Sequence, residues 1–166
     1  FLIQLQIIAE ANNVAFNVTT MRKNGNDAGI INPNLPWVAQ KVKDRISYLR
    51  NDLVKLKKFE SEGLEDDYNF AVKSWYGLLR EAWERAVEER LFKGVIERFS
   101  FGVQTQKLKK VEITNELVTD IEKGMTESSK WVHDQATGLN PTIPDTTKAQ
   151  ADLDFFDAFS KKCISA

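Results

Sequence analysis

Two side chains that could bind a phosphate and help move protons lie four residues apart, at Arg80 and Glu84. On a helix, that spacing places both side chains on one face, about one turn apart. The chain has a single histidine, His133, and histidine is the side chain whose ordinary pKa allows both protonation states near pH 7. If a second helix brings His133 to the face with Arg80 and Glu84, the three residues form a candidate acid and base set.

The same residues also have a purely structural interpretation, which composition alone favours. Arg80 and Glu84 would then form an ordinary surface ion pair, worth about 0.3–0.5 kcal/mol. Their order along the helix is the less favourable one, whereas Glu81 and Arg85 have the favourable order and are better candidates for a structural pair. His133 would then cap a helix end or lie in the core.

The best local basic cluster contains Lys107, Lys109 and Lys110, which are the candidate RNA-binding residues. With 23 basic and 24 acidic residues, the net charge of -1 gives no global field that would attract nucleic acid, so any contact with RNA has to be local. A solvated segment between helices is the plainer interpretation of the cluster, because it lacks a neighbouring aromatic platform.

The familiar nucleotide and metal motifs are absent from the sequence. It contains neither a Gly-x-x-x-x-Gly-Lys-Ser/Thr phosphate loop nor a Gly-x-Gly-x-x-Gly turn. One cysteine and one histidine cannot supply the usual nitrogen and sulfur ligands of a zinc site. Cys163 and His133 form a nucleophile pair only formally, because Cys163 lies in the terminal tail. We therefore expect no metal and no cofactor in this chain.

The elements that would position these residues begin with a short helix and a β-hairpin. A helical composition up to about Asn12 precedes a run rich in β-branched residues from Val14 to Met21. Turn residues at 24–27 and a second apolar run from Ala28 to Ile31 then complete a hairpin pattern. We expect this first segment, 1–36, to lie at the edge of a larger body, because two strands alone are marginally stable in water.

Helical periodicity begins at Trp37 and continues through most of the remaining chain. A first long helix, ending near Gly63, carries a seam of apolar residues spaced by alternating steps of four and three. The seam residues are Val42, Ile46, Leu49, Leu53 and Leu56. We expect this seam to be buried, either within the chain or across a homodimer.

The second long helix, from Leu64 to about Phe99, carries Arg80 and Glu84, and the short connection at Gly63 predicts that it runs antiparallel to the first. Its apolar stripe consists of Tyr68, Ala71, Val72, Trp75, Leu79, Ala82 and Ala86. Residues 99–111 show no helical period, and we expect them to be extended.

Two further helices complete the pattern. Thr114 is the predicted N-cap of a helix that reaches about 136, and Asp145 or Thr146 caps a last helix. The buried face of the last helix consists of Leu153, Phe156 and Phe159. The sequence thus predicts a mainly α fold, an antiparallel helical bundle over 37–166 with a small N-terminal β-hairpin.

No apolar run approaches the roughly 20 residues that a membrane-spanning helix needs, and a lone cysteine forms no internal disulfide. We therefore expect a cytoplasmic protein without membrane association. The chain starts at Phe1 without an initiator Met, so we interpret it as part of a longer protein.

Several strings in the sequence together carry a resemblance to one family of bacterial proteins. They are Leu35-Pro36-Trp37, Lys41 to Ile46, Leu79 to Glu89, Gln104-Thr105-Gln106 and Trp131 to Ala136, and together they extend over nearly the whole chain. With these strings, the chain resembles the C-terminal region of AAA-family ATPases with an ABC-type head, of the PrrC and RloC anticodon-nuclease group.

The resemblance implies that an ATPase domain, with its ATP and magnesium ions, precedes this chain in the parent protein. It also implies that Arg80, Glu84 and His133 form an RNA-cutting set similar to that of HEPN-type ribonucleases, in a phage-defence protein that cuts RNA, with tRNA as the expected class. The chain departs from most HEPN domains in having no Arg close before His133.

A second hypothesis is a non-catalytic helical domain that couples to the ATPase domain or binds another protein chain. The long apolar seam from Val42 to Leu56 motivates it. We favour the endoribonuclease slightly.

Overall fold

Residues 2–32, 35–97, 102–131 and 143–165 are described by the computed structural model of the chain. His133, one of the three candidate catalytic residues, lies outside these ranges. The chain divides into two units, Phe1–Gln40 and Lys41–Ala166, which are described separately below.

The first unit consists of helix α1 (Leu2–Ala11), a two-stranded antiparallel sheet and a short 3-10 helix at Trp37–Ala39. Strands β1 (Thr20–Asn24) and β2 (Asp27–Asn32) pair in a register that places Met21 opposite Ile31. The hairpin is confirmed, but its first strand begins at Thr20 and not at Val14. Pairing ends at Asn32, which Pro33 follows in the sequence, and proline has no backbone N–H to donate to a partner strand.

The second unit is an antiparallel helical bundle, as the sequence predicts. Its helices are α2 (Val42–Ser61), α3 (Glu65–Ala86), α4 (Asn115–Ser129) and α5 (Thr146–Ser165). Each helix packs against the next one along the chain, and α5 also packs against α2, which closes the bundle. Within the parts of the chain described here, no helix has the length and apolar character needed to cross a bilayer.

Helices α2 and α3 run antiparallel and are joined by hydrogen bonds as well as apolar contacts. Trp75 Nε1 donates to the Leu49 carbonyl at 3.0 Å, and Arg45 Nη1 donates to the Glu81 carbonyl at 2.7 Å. Gly63 makes the tight turn between the helices with a φ of 69°, a left-handed conformation that glycine adopts at little cost. The apolar seam of α2 is buried within the chain, as predicted: each of Val42, Ile46, Leu49, Leu53 and Leu56 is at most 7% exposed.

Helix α3 ends earlier than the sequence predicts. After Ala86 the backbone widens into a π-helical turn at Val87–Leu91, and Lys93 and Gly94 then take positive φ angles of 50° and 69°. The left-handed pair reverses the chain, so the helix does not reach Phe99. The following segment contains a 3-10 helix at Thr105–Lys110, so the prediction of extended chain there is wrong.

The starts of α4 and α5 match the capping signals. Thr114 Oγ1 accepts a hydrogen bond from the Leu117 N–H at 3.3 Å, and Asp145 Oδ1 accepts one from the Lys148 N–H at 2.7 Å. A second carboxylate reaches the start of α5 from the end of α2, because Glu60 Oε1 accepts a hydrogen bond from the Thr146 N–H at 3.1 Å. The predicted buried face of α5 (Leu153, Phe156 and Phe159) is at most 1% exposed.

Candidate functional site

Arg80 and Glu84 form an ion pair near the C-terminal end of α3. Arg80 Nη2 lies 3.5 Å from Glu84 Oε1, and the two side chains are 36% and 31% exposed. The four-residue spacing thus produces the shared face that the sequence predicts, and both charged groups are accessible to a ligand. An ion pair this exposed contributes little to stability.

The Nε of Arg80 is a buried N–H group. It makes no hydrogen bond within the described part of the chain, and a buried unsatisfied donor is costly. The Nε atoms of Arg85 and Arg90 are in the same situation. This feature therefore does not single out Arg80.

Trp131, which follows the end of α4, contacts α3 one helical turn before Arg80. The rings of Trp131 and Tyr76 pack with their centroids 6.1 Å apart. His133 follows Trp131 by two residues in the sequence, but it lies beyond the described residues, so only Arg80 and Glu84 of the candidate set can be located.

The three candidate RNA-binding lysines lie on the 3-10 helix Thr105–Lys110. Lys109 and Lys110 are exposed. Lys107 is partly buried and its Nζ donates to the Gly94 carbonyl at 3.3 Å. Lys107 therefore helps to hold the turn after α3, a structural role that its position in a basic cluster did not indicate.

Three charged residues at the end of α3 and in its π turn, Arg85, Glu88 and Glu89, make structural contacts. Arg85 forms ion pairs with Glu88 at 3.2 Å and with Glu89 at 3.6 Å. Glu89 Oε2 also accepts a hydrogen bond from the Val42 N–H at 3.0 Å. A carboxylate at the N-terminus of α2 is favourable, because that end of a helix carries partial positive charge.

A groove of about 400 Å³ lies where α3, α4 and α5 meet, and it begins at residues next to Arg80 and Glu84 in the sequence. Leu79 and Trp83 of α3 line it. The polar groups in its lining are Lys123, Glu127, Ser128, Lys148 and Asp152. This groove is not apparent from the sequence, because its residues come from three helices. The only local signal was the spacing of four between Lys123 and Glu127 and between Lys148 and Asp152.

A chain of polar contacts runs beneath the groove. Tyr76 donates its hydroxyl hydrogen to Asp152 Oδ2 at 2.8 Å, and Lys148 forms ion pairs with Asp152 and, at 3.6 Å, with Glu127. Burial raises the pKa of Tyr76, and the hydrogen bond to Asp152 raises it further. A hydrogen bond from Lys130 lowers the pKa of Glu127. At neutral pH the Tyr76 phenol is therefore neutral and the Glu127 carboxyl is ionised.

Among the residues that the structure describes, no group of three or more His, Cys, Asp and Glu side chains is arranged to hold a metal ion. Comparisons with protein-family models, curated proteins and solved structures gave no match to this chain. The membership in the anticodon-nuclease group of ATPases therefore remains a prediction from the sequence.

Proposed function

We propose that this chain is the RNA-cutting effector region of an ATPase, with Arg80, Glu84 and His133 as its catalytic set. The contact between Trp131 and Tyr76 carries the proposal. It brings Trp131, just after the end of α4, beside α3 one turn before Arg80, and His133 comes two residues later in the sequence. The accessibility of Arg80 and Glu84 supports it further, because an RNA backbone has to reach them.

The proposed reaction is the metal-independent cleavage of an RNA phosphodiester. His133 takes the proton of a ribose 2′-hydroxyl, whose oxygen attacks the neighbouring phosphorus, and the bond to the 5′-oxygen breaks. The leaving 5′-oxygen takes a proton from solvent water, His133 returns its own proton to the solvent, and a 2′,3′-cyclic phosphate remains on the other fragment. Arg80 would stabilise the charge that builds on the phosphate oxygens. Arginine has five N–H donors, so the pairing with Glu84 leaves others for the phosphate. Glu84 would orient Arg80.

The test is to incubate the purified protein with total tRNA in the presence of EDTA and to separate the products on a denaturing gel. We expect discrete fragments with 2′,3′-cyclic phosphate ends. The assay should be repeated with the parent protein, with and without ATP, to measure control by the ATPase domain. Intact tRNA under both conditions, or cleavage that EDTA abolishes, would contradict the proposal.

A second candidate function is a non-catalytic coupling or protein-interaction domain, and exposed apolar residues of the first unit favour it. On α1 these are Leu5, Ile7 and Ile8, and on the hairpin the paired residues Met21 and Ile31 are 77% and 68% exposed. The seam of α2 no longer supports this function, because it is buried within the chain. If tRNA stays intact while the first unit binds the ATPase domain, this second function replaces the nuclease.

A further inference from the structure

The groove between α3, α4 and α5 has a charge balance that suits a neutral polar ligand. Its charged lining consists of Lys123, Lys148, Glu127 and Asp152. Two lysines facing two carboxylates leave no net charge, so the groove has no excess of positive charge for a phosphate. The same groups still provide both hydrogen-bond donors and hydrogen-bond acceptors for one ligand.

The remaining wall of the groove is aromatic. Phe155 is partly exposed and its ring lies 5.7 Å from that of Trp83, centroid to centroid. The ammonium of Lys123 is 4.8 Å from the centroid of the Phe155 ring. Lys123 itself is exposed on α4 and has a flexible side chain, so it can leave the ring when another flat group approaches.

The two carboxylates keep room for further hydrogen bonds. Glu127 binds Lys130 and Lys148 through different oxygens, and Asp152 binds Lys148 and Tyr76 through different oxygens. Each carboxylate oxygen has two lone pairs. Each of these four oxygens therefore has a second lone pair that its contact with Lys130, Lys148 or Tyr76 does not use.

We infer that this groove binds one unpaired nucleobase of an RNA strand, stacked on Phe155 and held at its edge by Glu127, Asp152 and the two lysines. A nucleobase is neutral and planar, and it carries donors and acceptors on one edge, as the lining requires. Aromatic stacking together with hydrogen bonds to the base edge is the general way in which proteins read single-stranded RNA. The inference rests on the proposed function, because it supplies the substrate contact beside Arg80 and Glu84.

The lining also selects among the bases. Carboxylates accept hydrogen bonds from exocyclic amino groups, which adenine, cytosine and guanine have and uracil lacks. A lysine can donate to a ring nitrogen or a carbonyl oxygen of the same base. The groove should therefore prefer the three amino-bearing bases over uracil.

Binding can be measured without cleavage. A fluorescent oligonucleotide of uridines with one central base varied, 2′-O-methylated throughout, has no free 2′-hydroxyl and cannot be cut by the proposed reaction. Fluorescence anisotropy with the full chain should give a dissociation constant about fivefold or more lower when the central base is adenine, cytosine or guanine. Free nucleoside monophosphates, tested in parallel, should bind far more weakly, because they lack the neighbouring nucleotides.

Matched variants locate the binding site. Phe155→Leu removes the stacking ring and should raise the dissociation constant at least about fivefold, whereas the same change at Phe70, which is 80% exposed on α3, should have no effect. Ala151→Gln obstructs the groove from its exposed edge, and Ala158→Gln on the same helix is its control. Glu127→Gln should weaken the preference for amino-bearing bases, and it replaces no core residue.

The outcomes separate the inference from the proposed nuclease function. If tRNA is cut but Phe155→Leu, Ala151→Gln and Glu127→Gln all bind like the unmodified chain, the inference is wrong and the nuclease stands. If tRNA stays intact but oligonucleotide binding depends on these residues and on the base, the proposed nuclease function is wrong and the inferred base-binding groove is supported. No binding of any oligonucleotide overturns the inference. Tighter binding of free nucleotides than of the strand would overturn its assignment to RNA.

Discussion

Gly124 of α4 lies so close to Trp83 of α3 that a Cβ atom built on it would be 2.2 Å from two carbons of the indole ring. No side chain larger than hydrogen fits there unless one of the helices moves. Trp83 is itself only 1% exposed and packs against Phe156 and Phe159, with centroid distances of 4.9 and 4.8 Å. The approach of α4 to the aromatic core therefore depends on this one glycine.

Gly124→Ala should lower the free energy of unfolding by about 1–3 kcal/mol, the usual cost of forcing extra atoms into a packed core. The gain in helix propensity, roughly 1 kcal/mol, offsets only part of it. Gly77→Ala is the matched control, because it lies within α3 and a Cβ there would meet nothing within 4 Å. Urea denaturation should show Gly77→Ala as neutral or stabilising. Equal effects of the two changes would mean that α4 does not press on Trp83.

Leu49→Ala should cost about 2–5 kcal/mol in the free energy of unfolding, because it opens a cavity in a fully buried seam. The hydrogen bond from Trp75 to the Leu49 carbonyl does not involve the replaced side chain. Val54→Ala on the same helix is the control, since Val54 is 65% exposed and should change stability by no more than about 0.5 kcal/mol. A similarly small effect for Leu49 would show that the seam is not packed in solution.

Asp157 of α5 should make stability depend on pH in the acidic range. Burial opposes ionisation of this carboxyl, but hydrogen bonds from Lys161 and Arg50 outweigh it and hold its pKa below the ordinary value of 3.8. A carboxyl whose pKa is lower in the folded state than in the unfolded state stabilises the protein at pH values above its unfolded-state pKa. This stabilisation is lost as the pH falls through the folded-state pKa.

Asp157→Asn should therefore lower the free energy of unfolding by up to about 1 kcal/mol at pH 7, a modest effect because the pair is partly exposed. Thermal unfolding of both proteins from pH 7 to pH 2 should show the difference shrinking only below about pH 3.8. A difference that is constant over this range would exclude the ion pairs as its cause.

Replacing members of the proposed catalytic set should have non-additive effects on tRNA cleavage. His133→Ala and Arg80→Ala should each abolish tRNA cleavage, and the double variant should be no worse than either single one, because residues that act as a unit are not additive. Lys73→Ala, an exposed cation on the same helix, is the control and should cut normally. Circular dichroism should show all four proteins folded. Full cleavage by His133→Ala would end the nuclease hypothesis.

The parts of the fold that the sequence predicted well are those with local causes. The seam of α2 follows from residue spacing, and the starts of α4 and α5 follow from the capping side chains of Thr114 and Asp145. These signals lie within a few residues of the structure that they produce. For the same reason, the pairing of Arg80 with Glu84 was predictable from their spacing alone.

The parts that the sequence did not predict have long-range causes. The chain reversal after α3 is held by Lys93, whose Nζ donates to the Cys163 carbonyl, and by Lys107, whose Nζ donates to the Gly94 carbonyl. The groove beside Trp83 depends on three helices meeting. Gly124, which would weaken an isolated helix, is explained only by an aromatic ring far away in the sequence.

The carboxylates that reach helix starts from distant parts of the chain have a consequence for the exchange of amide hydrogens with solvent. Glu89 receives the first N–H of α2 from beyond the end of α3, and Glu60 at the end of α2 receives the first N–H of α5. Neither helix start is fully satisfied until its distant carboxylate has arrived. The amide hydrogens of Val42 and Thr146 should therefore exchange with solvent deuterium only when the bundle opens, and not through the fraying that is usual at helix ends.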